Sequence, residues 1–359
     1  VAPTLSLLRR VLSFPKRRTR PSGLRFPAVF LGLLAAVSLL APLLANNKPL
    51  AVDLDGHLRF PAFRDLLPFR LFLRPDGAAL ALERDPRWFG PSGEGRRRAR
   101  WLLLPPLPYS PYETSLERIH EPPGRDHPLG CDDVGRDVAA RLVHGTKVTL
   151  LTGVLSMALA LLVGVSLGAL GGFAGGAVDR LLVSPAIEVM LCFPTFFFIL
   201  TVTAVTDPRY LNLWSVILVI GLTSWAPLAR FARAEFLRLK SAPYVEAARA
   251  LGAGPFRQAL RHILPNASGP LVVNAAFGAA GAVLSEAALS FLGVGIQPPE
   301  PSWGNVMSLV VRHWNDWWLG LFPGAALFLT VMAYNRLGEA LEGRLGAGAP
   351  GPEEAGRRR

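Results

Sequence analysis

Six stretches of this chain run for about the width of a lipid bilayer without one ionisable side chain. They are residues 26–44, 148–173, 189–206, 210–229, 263–285 and 317–335. The hydrocarbon core is about 30 Å thick, so an α-helix needs about 20 residues to cross it. In that medium every backbone polar group must be satisfied internally, which leaves helices and closed barrels as the spanning structures. The blocks therefore predict an all-α integral membrane protein with about six transmembrane helices. The third is expected to start earlier, near Leu182, and to carry Glu188 inside it. A soluble chain of this length would instead spread its apolar residues through amphipathic elements.

Lysine and arginine outnumber aspartate and glutamate by 38 to 26. Clustered cations can neutralise nucleic-acid phosphates. In a polytopic membrane protein the plainer cause is the cationic excess that holds loops in the cytoplasm, and no nucleic-acid partner is expected. Arg9, Arg10, Lys16, Arg17, Arg18, Arg20 and Arg25 precede the first block with no acid among them. Between blocks four and five, Arg230, Arg233, Arg238, Lys240, Arg249, Arg257 and Arg261 face only Glu235 and Glu246. Both stretches are thus expected inside, as an even number of crossings between them requires.

The layout follows. Residues 1–25 form a basic cytoplasmic segment, 26–45 the first helix and 46–147 an external segment. Residues 148–345 form the membrane core, with a cytoplasmic loop at 230–266, and 346–359 a cytoplasmic tail. The first block is read as a retained span, being longer than the apolar core of a signal peptide. The external segment contains Arg96, Arg97, Arg98 and Arg100, but loops beyond about 60 residues translocate largely regardless of charge. It reads as a small, partly β-structured extension on the membrane surface.

Cys131 and Cys192 fall in the external segment and the third span, too far apart in the layout to pair. The six histidines show no zinc-type spacing, so no metal site is expected. Gly164, Gly168, Gly172 and Gly176 recur every fourth residue, as do Asn274, Gly278, Ala282 and Glu286. Such rows either let a neighbouring backbone approach closely or line a path. Glu286 and Glu188 would each cost a few kcal/mol in lipid, so each should face protein or water. Glu286 and Asn274 are candidates for a gate or pathway, with packing as the alternative.

The most informative stretch is 241–266. Ser241 can cap a helix with Pro243 in its first turn, running through Glu246, Ala247 and Ala248 to Leu251. Gly252 and Gly254 end it, since glycine accepts the left-handed turn that closes a helix. Pro255 opens a second helix. Phe256, Ala259, Leu260 and Ile263 share one face of it, Arg257, Gln258 and Arg261 the other. Pro265 is expected to end it at the membrane. The pattern is a surface hairpin suited to docking a cytoplasmic partner.

The string EAARALGAGPFRQALRHILPNA (246–267) resembles the EAA loop of binding-protein-dependent ABC transporter permeases. In that family the loop is a coupling helix seated in a groove of the ATP-hydrolysing subunit. Glu246, Ala247, Ala248, Gly252, Leu264 and Pro265 match its motif, with Leu251 beside them. His262 departs from it, though RHILPN is similar to the peptide/nickel branch, whose members include the oligopeptide and dipeptide C-type permeases. HPLGCDDVGRDVAARLVHGTKVTL (127–150) resembles the segment leading those permeases into their second span, with Cys131 in place of a usual threonine. LSEAALSFLGVGIQPPEPSWG (284–304) is similar to the end of their fifth span and the loop after it. LLANNKPLAVDLDGHLRFPAF (43–63) looks like the microcin C/oligopeptide subgroup with a longer first external segment.

The resemblance implies a prokaryotic plasma-membrane (inner-membrane) permease subunit, forming a pore with a second homologous permease. It further implies two ATP-binding cassette subunits inside and an extracytoplasmic substrate-binding protein outside. No catalytic residue and no bound cofactor are expected in this chain. It contains no G-x-x-x-x-G-K-[ST] loop and no Gly-Lys pair, so ATP and magnesium are expected in the partner ATPases. Oligopeptides or dipeptides are the expected cargo, with nickel or another chelated metal as the alternative. A secondary transporter, the rival of another class, should show inverted repeats, which are not evident. A membrane-anchored scaffold would not need closely spaced spans and glycine rows.

Overall fold

The computed structural model describes residues 24–346 apart from 55, 67–84, 86–87 and 91–92. The basic segment up to residue 23 and the tail beyond 346 lie outside them. Helix α1 (Arg25–Leu44) is a single apolar helix. It leads into a three-stranded antiparallel sheet of order β2-β1-β3, made of β1 (Ala51–Leu54), β2 (His57–Arg59) and β3 (Ala99–Leu103). Val52 lies between Arg59 and Leu102 in register and closes a small core with Leu54 and Phe89.

Helix α2 (Val138–Ala174) begins well before the charge-free block at 148. Arg141 and Lys147 interrupt the apolar run. The helix continues through them because Arg141 is buried in protein rather than lipid. The third crossing is broken: α3 (Gly176–Cys192) and α4 (Thr195–Val205) meet at 81°. Phe193 is extended (φ −90°, ψ 131°) ahead of Pro194, as a following proline demands. The fourth bends by 41° between α5 (Leu213–Thr223) and α6 (Trp225–Lys240). There Pro227 has no N–H to offer the carbonyl of Thr223. α6 runs past the end of its apolar block, so a helix rather than a loop carries Arg230, Arg233 and Arg238.

After α7 (Pro243–Ala250) comes α8 (Pro255–Phe291), then the short α9 (Trp303–Met307) and α10 (Trp318–Gly346). Four helices are long and apolar enough to cross a membrane alone, and the two bent pairs bring the crossings to six if each is one span. Pro265 does not end the second hairpin helix as the sequence suggests. A π turn at Gln258–Ile263 precedes it, and this wider turn absorbs the missing hydrogen bond so that the helix continues into the fifth span.

The glycine row of α2 packs against α6. A Cβ at Gly164 would lie 2.8 Å from the carbonyl oxygen of Trp225, at Gly168 2.5 Å from that of Ala229, and at Gly172 2.6 Å from that of Arg233. Gly176 does not belong to this row: open space surrounds it, and its φ of +58° serves the turn into α3. Two polar ties hold the cationic end of α6, one to α3 and one to α2. Arg233 donates to both carboxylate oxygens of Asp179 at 2.6 and 2.5 Å. Lys240 Nζ donates to the carbonyl of Phe173 at 2.6 Å, satisfying one of the last carbonyls of α2.

Gly168→Val should therefore lower stability by about 1–3 kcal/mol, the usual scale of overpacking. Gly281→Ala, in a helix with nothing within 4 Å, should be neutral or stabilising by about 0.5–1 kcal/mol. Thermal unfolding of the two variants in detergent checks the contrast.

Candidate functional site

Two regions gather the residues singled out by sequence, one at each end of α8. At the cationic end, α7 and the start of α8 form a hairpin. Ala242 is extended (φ −72°, ψ 141°) before Pro243, and no side chain caps α7. Ser241, the cap suggested by sequence, instead donates from Oγ to the carbonyl of Arg238 and belongs to the end of α6. Gly252 takes φ +83°. Its N–H bonds the carbonyl of Arg249, and that of Ala253 bonds the carbonyl of Ala248, both at 3.0 Å. This pair of bonds is the Schellman closure, which needs a residue free to adopt the left-handed turn.

The hairpin's inner face is Val245, Ile263 and Ala267, packed on Phe236 and Leu239 of α6, with Ala248 also buried. Gln258 sits with them rather than on the polar face, because its Nε2 donates to the carbonyl of Ala253 at 2.6 Å and ties the two helices together. Phe256 and Leu260, grouped with Ile263 by helical spacing, face outward: the π turn shifts the register. With Leu251 (89% exposed), Phe256 (76%), Leu260 and Tyr244, the hairpin offers an uncovered apolar surface. Exposed Glu246, Ala247, Arg249, Gly252, Arg257 and Arg261 surround it, as does Pro265, while Leu264 is half-buried. Exposed apolar groups contiguous with charged rims mark interaction sites.

At the other end, Glu286 is 1% exposed. Its Oε1 accepts from Ser290 at 2.8 Å and from Ser302 at 2.7 Å, and its Oε2 is buried with no protein partner. Ser302 also caps α9, in a reciprocal capping box with Asn305. Asn305 in turn accepts from Arg141 Nη2 at 2.9 Å. The indole of Trp303 donates to the carbonyl of Leu142 at 2.9 Å, binding α9 to α2.

The start of α2 is tied in the same way. Asp132 accepts from the N–H of Val134 and Arg136 and from Arg136 Nε. Asp137 caps α2 through the N–H of Ala140 and pairs with His127 Nδ1 at 2.7 Å. Gly130 and Gly135 supply the two left-handed turns (φ +76° and +74°). Cys131 is fully buried here, and burial followed by nearby Asp137 pushes its thiol up to about 12. Asn274, in the same row as Glu286, is half-buried and donates to the carbonyl of Pro270. Glu188 is exposed on α3.

Beside this network lies an open cavity of about 610 Å³, between the end of α1, the start of α2, the start of α5 and the loop before α9. Charges of both signs line it: Lys48 paired with Asp65, then Lys147 and Glu300. Tyr112 lies in its wall, its hydroxyl donating to Glu300 at 3.4 Å. Burial, then the Glu300 charge, raises that phenol to about 12. The sequence signalled neither the cavity nor the roles of Arg141, Ser302 and Asn305. Polar residues flanking an apolar block are the one local hint of such a network.

The carboxylate and hydroxyls around Glu286 should act as a unit. Glu286→Ala should cost about 1–3 kcal/mol for each hydroxyl it orphans, and Glu286→Gln, which keeps an acceptor, clearly less. Thermal unfolding and protease cleavage of the loop 292–302 would report both. Cys131 should resist a water-soluble maleimide in the folded chain at neutral pH and react only after denaturation.

Compared with known proteins, residues 160–347 match the family model described as "Binding-protein-dependent transport system inner membrane component". A putative peptide permease protein of Brucella ovis is 37% identical over 240 residues, covering 66% of this chain and 78% of the relative. The dipeptide transport system permease protein DppC of Bacillus subtilis is 33% identical over 243 residues, 66% of this chain and 74% of its own length. The glutathione transport system permease protein GsiD of Pectobacterium atrosepticum is 33% identical over 235 residues, 64% and 75% of the two chains.

Proposed function

Because the chain belongs to the family of binding-protein-dependent transport system inner membrane components, a multi-pass plasma-membrane permease subunit, we propose that it imports short peptides and takes its drive through the α7–α8 hairpin. Partner ATPases carry the ATP and magnesium in this reading. A second permease completes the pore, and an extracytoplasmic binding protein delivers the cargo.

The exposed hairpin supports the coupling role best. Leu251, Phe256 and Leu260 are apolar yet uncovered in this chain, while Val245 and Ile263 beneath them anchor the hairpin to the membrane core. A groove in a cytoplasmic partner would cover the outer face without disturbing the inner one. Glu246, Ala247, Ala248, Leu251, Gly252, Leu264 and Pro265 are the coupling residues in this proposal.

The continuity of α8 supplies a transmission path. From Phe256 to Glu286 the helix rises about 45 Å at about 1.5 Å per residue. A displacement of the hairpin therefore reaches the Glu286–Ser302 contact through one rigid element. Glu286, with Asn274 in the same row, acts in this reading at a gate whose outer latch is the loop 292–302. The cavity with Lys48, Lys147 and Glu300 near its rim suits a zwitterionic peptide, whose termini need partners of both signs. The names of the relatives, which mention peptide, dipeptide and glutathione permeases, support that cargo class.

Leu251→Asp and Phe256→Asp alter only exposed side chains, so both variants should insert normally. Each should weaken ATPase association by about tenfold or more, on the order of 1.4 kcal/mol, and reduce uptake in parallel. Gly252→Val, forced into a left-handed turn, should lose about 1–2 kcal/mol locally as well. Mass spectrometry of the complex purified in mild detergent tests the assembly. A second permease and Walker-motif ATPases in near-equal amounts are expected, and a chain recovered alone after gentle cross-linking would sink the coupling role.

A further inference from the structure

We propose that His120, His313 and Asp316 form a binding site for a divalent cation of the zinc class, clamping the segment before α2 to the entrance of α10. The three residues are far apart in the sequence, which is why spacing concealed them. Folding brings one potential ligand atom from each to within 4.8 Å of the others. His120 Nδ1 contacts Asp316 Oδ2 directly, and the two imidazole rings lie 4.3 Å apart, centroid to centroid, tilted by 49°.

Two imidazoles and a carboxylate are a ligand set suited to zinc and its neighbours, with a fourth position left for water. Bonds of about 2.0–2.1 Å to a tetrahedral ion would separate the ligand atoms by about 3.4 Å. The observed atoms lie within 4.8 Å of one another on two half-buried imidazoles and the carboxylate, so an ion would replace the direct His120–Asp316 contact and draw His313 to the same spacing. Asp316 is 7% exposed and held more firmly.

The backbone also presets the ligands. His120 is the non-glycine residue with positive φ (+59°) among those described, and its N–H is tied to the carbonyl of Asp132. On the other side, the N–H of Asp316 bonds the carbonyl of His313, and the N–H of Leu319 bonds that of Asp316. Strained left-handed residues persist where the surroundings enforce them, often at functional positions. Exposed Trp314 and Trp317 flank the turn, the aromatic pairing that marks a membrane–water boundary.

The neighbouring group Glu121, His127 and Cys131 also lies close together. There, however, Asp137 occupies one ring nitrogen of His127 and Arg118 the other. The His120 ring has only one nitrogen engaged, and its partner is itself a ligand.

The probe is Zn²⁺ alone, titrated calorimetrically into the full chain purified in detergent without a polyhistidine tag. One Zn²⁺ per chain is expected. His313→Asn and Asp316→Asn should each weaken binding by at least about tenfold, the scale on which even indirect changes around a metal act. His120→Gly should do the same while relieving the backbone, so it remains informative if another variant misfolds. His262→Asn, on the opposite side of the membrane core, should bind as the parent does. Co²⁺ in place of zinc should show visible absorption bands of an N/O site, lost in Asp316→Asn. Absence of stoichiometric binding in the parent overturns the proposal. So does retention of affinity in the ligand variants, or equal loss in His262→Asn, either of which leaves His120 and Asp316 as a simple hydrogen-bonded contact.

Discussion

In hydrocarbon an apolar side chain gains nothing by leaving lipid for protein, so helices associate through close van der Waals contact and through polar groups that have no other partner. The α2–α6 contact meets the first condition. Gly164, Gly168 and Gly172 bring the backbone of α2 against that of α6, the Lys240–Phe173 tie closes its cationic end, and Arg233–Asp179 joins α6 to α3 beside it. The hairpin rests on Phe236 and Leu239 of α6, and the hydrogen-bonded turns of residues 127–137 are built on the first turn of α2. Both candidate regions therefore inherit their positions from this one contact.

Polar satisfaction meets the second condition. A half-satisfied buried network is worse than an apolar one, and the chain around Glu286 is nearly complete. Ser290, Ser302, Asn305 and Arg141 hand hydrogen bonds from α8 through α9 to α2. The exceptions are the second oxygen of Glu286 and Nε and Nη1 of Arg141, buried without a hydrogen-bond partner, although Nη1 lies 3.7 Å from Asp132 Oδ2. Such orphaned atoms mark a place where water, a cargo group or a second conformation has something to bind.

Two of the crossings are bent rather than straight. Proline accounts for both, at Phe193–Pro194 and ahead of Pro227, where a ladder hydrogen bond cannot form. α8 carries Pro265 and Pro270 and stays continuous, because the π turn before Pro265 takes up the mismatch. One continuous helix thus joins the hairpin to the Glu286–Ser302 contact, beside two bent crossings.

The sequence by itself determined what depends on local chemistry. Bilayer-length apolar blocks specified the crossings, the glycine row specified a close contact, and Gly252 after an amphipathic turn specified the hairpin's closure. The EAA-like string already located Glu246, Gly252 and Leu264 on that hairpin. Tertiary structure alone decided which side of the hairpin is covered, because the π turn rotated Gln258 inward and left Phe256 and Leu260 outside. It also decided what a buried carboxylate does: Ser302 and Arg141 reach the Glu286 network from other elements. Likewise His120 meets His313 and Asp316 only after the segment before α2 has packed on α10. Helix formation and membrane partition are set within about 20 residues of chain, whereas a hydrogen-bond partner or a ligand set is chosen by how the finished helices pack.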